Sequence, residues 1–244
     1  MDRATASELA HGDLALHNPL SLGRLDEVIA LLDLPPHARV LDVGCGAGEA
    51  LARVCERWDA AGTGVDAHEP LVTRARRRAP ELDFHAADAR TFPYDRGGYD
   101  VAMTIGSSHA FGGDFRYALG RLAELARPGG QVLLGEGYWR RPPDAAYLAE
   151  LGAEADELAN YAGLVRCAME VGLVPLYATV ASESEWDRYE WRLVLNGERH
   201  AARHPDDPGM DELLTWVRAG RDRYLAPGGR DTLGFGLFLF ARPR

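Results

Sequence analysis

The chain of 244 residues contains no lysine; all 27 of its permanently basic side chains are arginine. That absence excludes Schiff-base catalysis, lysine-bound pyridoxal chemistry and the lysine that grips phosphate in nucleoside-triphosphate loops. Cysteine is scarce too. Cys45, Cys55 and Cys167 stand apart, with neither disulfide-framework nor zinc spacing. No acidic or histidine cluster has ligand spacing, so no metal is expected. No apolar run approaches the length of a membrane span and no signal peptide is legible, so a soluble, cytoplasmic protein without membrane contact is expected. Basic charge is short: 27 arginines face 37 acidic residues, a net charge of −10 that argues against a nucleic-acid partner. The one basic run, Arg74, Arg76, Arg77 and Arg78, reads as the solvated face of a helix.

What is present is enough apolar residue, 46%, for a sizeable core, and enough length for one large α/β domain with insertions. The organising stretch runs from Arg39 to Glu49. Arg39-Val40-Leu41-Asp42-Val43 reads as a buried strand, preceded by the turn at Pro35-Pro36. Gly44, Gly46 and Gly48 then alternate, a pattern that lets backbone turn sharply and lets a ligand lie against bare main chain. A helical stripe of Ala50, Leu51, Val54 and Cys55 follows. Strand, glycine loop and helix form the nucleotide-cofactor turn of a doubly wound sheet. A dinucleotide fingerprint would place glycine where this chain has Glu49. The glycines alone also fit a tight turn without a ligand.

Upstream, Leu22, Leu25, Val28, Ile29 and Leu32 have helical spacing after a turn at His17 to Ser21, so an N-terminal helical segment (residues 1–37) is expected beside the cofactor site, with packing alone as the alternative. Downstream, Gly62 to Asp66 reads as a second strand ending in an acid, at the distance from the glycine turn expected of a ribose-binding carboxylate. A helix N-cap is the alternative for Asp66. Further strands are expected at Leu82–Ala86, Tyr99–Ile105 and Gln131–Glu136. A helix at Phe115–Ala126 ends at the stop signal Arg127-Pro128-Gly129-Gly130. Helices at Ala146–Leu158 and Leu164–Val171, a sixth strand at Leu173–Val180 and a last strand at Leu233–Ala241 complete the core (38–180 and 233–244). Between the last two strands lies an insertion, 181–232. In it Trp186, Tyr189 and Leu193 share a helix face, Pro205 to Pro208 breaks the helix, and Asp211 to Leu225 forms another.

The loop Leu41-Asp42-Val43-Gly44-Cys45-Gly46-Ala47-Gly48, the strand-end acid Asp66, Asp88 after the third strand, Tyr99-Asp100-Val101 and Arg127-Pro128-Gly129-Gly130, in that order, resemble a class I S-adenosylmethionine-dependent methyltransferase. The family more often has lysine at Arg127. Tyr138-Trp139 and the Trp186–Glu190 stretch further resemble a group of bacterial methyltransferases without an assigned substrate.

The resemblance implies a Rossmann-like, doubly wound seven-stranded sheet with the last strand antiparallel and a helical insertion between strands six and seven. It implies S-adenosylmethionine as cofactor and S-adenosylhomocysteine as product. Gly44, Cys45 and Gly46, with Asp42, would pass under the methionine part. Asp66 and Ala67 would hold the ribose, Asp88 and Ala89 the adenine, and Ile105-Gly106 would line the amino-acid end. His109 and Glu136 are candidate bases, with structural roles as the alternative for each. Tyr138, Trp139, Trp186 and Tyr189 are candidate acceptor contacts, with packing as the alternative. The expected activity is methyl transfer to a small molecule at oxygen or nitrogen, under a lid formed by the insertion. Cofactor binding without transfer and nicotinamide oxidoreduction are the other classes, the latter disfavoured by Glu49.

Overall fold

A computed structural model describes residues 1–244, the side chains of Arg3 and Ala4 excepted. Five parallel strands form first: β1 (Arg39–Val43), β2 (Ala61–Asp66), β3 (Asp83–Ala86), β4 (Tyr99–Ile105) and β5 (Ala126–Trp139). β6 (Val174–Val180) lies at the far edge, and β7 (Leu233–Ala241) runs antiparallel between β5 and β6. The order is β3-β2-β1-β4-β5-β7-β6. The reversal beside β1, where β2 and β4 flank it, opens a crevice at the carboxyl ends of these strands.

Side chains alternate across the sheet and define two core layers. On one face Val40, Met103, Leu133 and Leu237 pack against α2 (Leu22–Ile29), α3 (Glu49–Trp58) and α4 (Glu69–Arg78). On the other, Leu41, Ala102, Val132, Leu134 and Phe238 pack against α5 (Phe115–Leu125) and α7 (Tyr161–Glu170). A third apolar cluster joins α1 (Arg3–His11) to α8 (Glu183–Arg203) and α9 (Met210–Leu225) through Ala6, Ala10, Leu193, Leu213 and Val217. α8 and α9 cross closely at Gly197, where a Cβ would stand 2.6 Å from Val217. The insertion is thus two helices completed by the first helix of the chain, a helix that periodicity did not reveal.

Several boundaries differ from expectation for physical reasons. The expected helix Ala146–Leu158 is only α6 (Ala145–Leu151), because Gly152 takes a left-handed conformation and caps it. β5 begins at Ala126 rather than Gln131. The Arg127–Gly130 turn bulges out between the pairs Tyr99–Ala126 and Val101–Gln131. The basic run on α4 is not simply solvated: Arg78 reaches the buried carboxylate of Glu49 at 2.7 Å, and Arg76 donates to the Phe84 carbonyl at 3.1 Å.

The N-terminal segment is fastened to the insertion. Glu185 closes the capping box of α8, accepting from the Ser182 amide (2.7 Å) and hydroxyl (2.8 Å), and also takes Arg24 of α2 at 2.8 Å and the Ser21 amide at 3.2 Å. Asn196 donates to the carbonyls of Ala10 (3.0 Å) and His11 (3.2 Å), and Arg192 pairs with Asp13 at 2.7 Å.

Candidate cofactor and acceptor site

β1 ends in three glycines at positive φ: Gly44 (73°), Gly46 (53°) and Gly48 (78°). Each serves a different need. A Cβ on Gly44 would stand 2.2 Å from that of Ser107, and one on Gly48 would stand 2.8 Å from Phe84. Around a Cβ built on Gly46 no atom lies within 4 Å, so there the bare backbone faces open space. The Gly44 and Cys45 amides donate back to the Val65 carbonyl, at 2.7 and 3.2 Å, tying the loop to the end of β2.

Two carboxylates serve this loop. Asp66 accepts from the Gly46 amide with Oδ2 (2.9 Å) and from the His68 amide with Oδ1 (2.8 Å). Asp42 is 2% exposed, with Oδ1 lacking a hydrogen-bond partner among the described residues. Burial, helped by the Asp66 charge, pushes its carboxyl up to about 8. The same burial, with Asp42 and Asp66 nearby, raises the Cys45 thiol and keeps it un-ionised. Glu49, at the first position of α3, is buried between Arg53 (2.6 Å) and Arg78 (2.7 Å). It fills the position that a dinucleotide fingerprint leaves to glycine.

A cavity of about 130 Å³ lies over the loop. Of the residues singled out in the sequence, Asp42, Gly44, Cys45, Gly46, Asp66, Ile105 and Gly106 line it. Leu16, His17, Asn18 and Ser107 line it too, and sequence reasoning missed them. His17 is stacked on His11 with centroids 4.0 Å apart, and burial pushes its imidazole down to about 3. His11 donates from Nδ1 to the Ser7 carbonyl (2.7 Å), so its Nε2 accepts from the Tyr189 hydroxyl (2.9 Å). That hydroxyl also lies 3.2 Å from the His17 carbonyl. Asn18 accepts from the Leu20 amide at 3.1 Å, which fixes the turn that sequence had marked.

The remaining singled-out residues lie elsewhere. Ala67, Asp88 and Ala89 do not line this cavity. Asp88 sits on the surface, its carboxylate gripped by Arg90 at 2.9 and 3.0 Å and held down at about 2 by that guanidinium. His109 is exposed in the short 3₁₀ turn Ser108–Phe111. Glu136 is buried on the opposite face of the sheet. Its Oε1 accepts from the Gly137 amide at 2.8 Å, it bonds Ser108, and burial raises its carboxyl; Oε2 has no partner among the described residues. It therefore braces the 3₁₀ turn and does not hold the N-terminal segment. Tyr138 packs edge-on against Tyr161 (5.8 Å), and Trp139 donates from Nε1 to the Ala155 carbonyl (2.9 Å), so both pack the end of β5 away from the cavity. Trp186 is buried with Tyr224 and Phe235 in the sheet-facing core and does not line this cavity. Tyr189, one turn further, turns instead toward the N-terminal segment.

A second cavity, of about 420 Å³, shares Ala15, Leu16 and Asn18 with the first and is otherwise walled by the N-terminal segment and by Glu185, Arg188, Tyr189 and Arg192 of α8.

This topology and glycine loop define the methyltransferase class, and the chain belongs to the class I S-adenosylmethionine-dependent methyltransferases. Residues 40–130 match the family description "Methyltransferase domain". The chain is 31% identical to the uncharacterized protein YjhP of Escherichia coli over 98% of its own length and 97% of that protein. It superposes with a TM-score of 0.88 on a SAM-dependent methyltransferase from Geobacter sulfurreducens solved with S-adenosylhomocysteine, at 28% identity and 98% coverage of each chain. It is also 29% identical to 27-O-demethylrifamycin SV methyltransferase of Amycolatopsis mediterranei, over 68% of this chain and 64% of that one. The cofactor is S-adenosylmethionine. The residues present suit it: open backbone at Gly46, an unpartnered buried Asp42 oxygen that can take an ammonium, and Asp66 with lone pairs left for hydroxyl donors.

Proposed function

We propose that the chain methylates a small-molecule acceptor at an oxygen or nitrogen atom, in the space between the N-terminal segment and α8. The observation that carries the reading is the adjoining cavity of about 420 Å³, which abuts the glycine-loop cavity at Ala15, Leu16 and Asn18. An enclosure of that size suits a small organic molecule. The net charge of −10 disfavours RNA. The relatives named as O-methyltransferases, the rifamycin enzyme and cnsE of Penicillium expansum, favour oxygen.

When bound, the sulfonium of the cofactor supplies the electrophilic methyl group. In this reading Asp66 with Ala67 holds the ribose, Gly44, Cys45, Gly46 and Asp42 hold the amino-acid end beside Ile105 and Gly106, and Asp88 with Ala89 meets the adenine once Asp88 exchanges its exposed partner Arg90. The surface pair is cheap to exchange, since water screens the attraction between exposed charges. Residues 181–232 form a lid through Glu185, Arg188 and Tyr189, and the closed site works by orientation and exclusion of water. His109, exposed in the 3₁₀ turn after β4, is the candidate base.

The test is product formation, measured as S-adenosylhomocysteine release against a panel of phenols, alcohols, amines, thiols, RNA and protein. Turnover of phenols, alcohols or amines is expected. Turnover confined to thiols, or to RNA or protein, would refute the reading. With an acceptor in hand, His109→Ala should lower turnover by about 10²–10⁴-fold at unchanged cofactor affinity. An unchanged rate would leave positioning alone as the source of catalysis.

A further inference from the structure

We infer that the helical subdomain carries a second ligand site, for a small zwitterion with an apolar side chain such as a free amino acid, held between Glu190 of α8 and Arg223 of α9. The site shares no lining residue with the glycine-loop cavity and meets the proposed acceptor cavity at Tyr189 alone.

The space is a cavity of about 280 Å³ between α1, α8 and α9. Glu190 and Arg223 line it from facing helices, with Tyr189, Leu193, Trp216 and Val217 supplying apolar wall. Glu190 has neither an ion pair nor a hydrogen bond among the described residues, and Arg223 has none either through its side chain. Burial pushes the Glu190 carboxyl up to about 7, and the Arg223 charge pulls it partly back. The two opposite charges thus feel each other across the cavity without closing on each other. A smaller void of about 70 Å³ is lined by the same two residues and by Trp186. The Trp186 indole N–H is buried and has no acceptor among the described residues. Glu190 and Arg223 line both voids and Trp186 the smaller one, and among the described residues the carboxylate, the guanidinium and the indole N–H have no hydrogen-bond partner that a bound molecule would have to displace.

The chemistry of the ligand follows from the charges. An amine alone would leave Arg223 unmatched, and a carboxylate alone would leave Glu190 unmatched. A molecule with both ends matches both, and its side chain fits against Trp216 and Tyr189, whose faces also favour a nearby ammonium. An open groove of about 580 Å³ shares Trp216 and Arg223 with the cavity and gives it a route to solvent.

Calorimetry with L-phenylalanine, phenethylammonium and 3-phenylpropionate tests this on the full chain, with S-adenosylhomocysteine at saturation to fill the cofactor cavity and the Glu190 and Arg223 variants to separate binding here from binding in the acceptor cavity. L-phenylalanine should bind roughly tenfold or more tighter than either half-molecule. Glu190→Gln should erase its advantage over phenylpropionate, and Arg223→Gln its advantage over phenethylammonium, with S-adenosylhomocysteine affinity unchanged in both. The wild-type comparison stands even where a variant does not fold. No binding of any of the three probes, equal binding of all three, or an unaltered preference in the folded variants would overturn the proposal.

Discussion

Removing the Asp66 carboxylate should separate two tasks that one side chain performs. Its oxygens already accept from the Gly46 and His68 amides, at 2.9 and 2.8 Å, so each keeps a further lone pair for the ligand. A hydrogen bond to a charged acceptor is worth about 1.5–3 kcal/mol. Losing even one such bond to the ribose weakens binding about tenfold or more, since about 1.4 kcal/mol is a factor of ten. Asp66→Ala also strands the Gly46 amide and loosens the loop, so affinity alone does not assign the ribose contact. A double cycle does: S-adenosylhomocysteine and its 2′,3′-dideoxy analogue are titrated calorimetrically into wild type and Asp66→Ala. If Asp66 meets the diol, the variant should lose at least about tenfold for the natural ligand and markedly less for the dideoxy analogue, because the second partner is already missing. Equal losses for both ligands would refute the ribose role and leave Asp66 as a loop anchor. Unchanged affinity for both would refute any contribution.

Gly44→Ala should destabilise strongly, because it places a Cβ at φ 73° and 2.2 Å from that of Ser107. A cost of about 3 kcal/mol lowers Tm by roughly 6–12 °C for a chain this size. Ser107→Gly should recover the part due to the clash but not the part due to φ, so a scan showing no shift in Gly44→Ala would contradict the loop geometry. Glu185 gives a pH signature. Burial raises its carboxyl, but Arg24 and the Ser182 and Ser21 groups outweigh it and hold the carboxyl at about 2 against an ordinary 4.5. Its folded value is lowered, so its contribution is complete above about 4.5 and fades as pH falls toward 2. Glu185→Gln should cost roughly 1–3 kcal/mol at neutral pH, allowing for its partial exposure to water, and little near pH 2. Urea titrations at both pH values check this; an equal cost at both would show that the charge is not what matters.

The parts legible in the sequence were those that local backbone chemistry dictates. Gly44, Gly46 and Gly48 announce a loop no other residue tolerates, and Leu233–Ala241 announces a strand of the length observed. What was not legible depends on distant partners. His17 belongs to the cavity wall because its carbonyl meets a hydroxyl 172 positions away, and nothing in His17-Asn18-Pro19 encodes that beyond a turn. Trp186 and Tyr189 share a helical stripe, yet one enters the core while the other reaches the N-terminal segment, since helical spacing names a face and not its neighbour. Asp88 had the right position after β3, but Arg90, two residues on, occupies its carboxylate in the chain alone.

β7 has a consequence for the order in which the molecule can be assembled. Leu237, Phe238, Leu239 and Phe240 are buried on both faces, and the strand wedges between β5 and β6. Until residues 233–241 emerge from the ribosome, β5 lacks a neighbour on one side, and β6 has none to pair with. The nascent chain therefore carries two bare strand edges through the synthesis of the entire α8–α9 region, at about 5–20 residues per second. α8 and α9 can pair with α1 in that interval, since all three precede β7. Completion of the sheet is left to a segment that arrives late and slots in from the side. The chain thus has a folding schedule that differs from its order of translation, and a ribosome stall after α9 would leave a half-built sheet open to other strands.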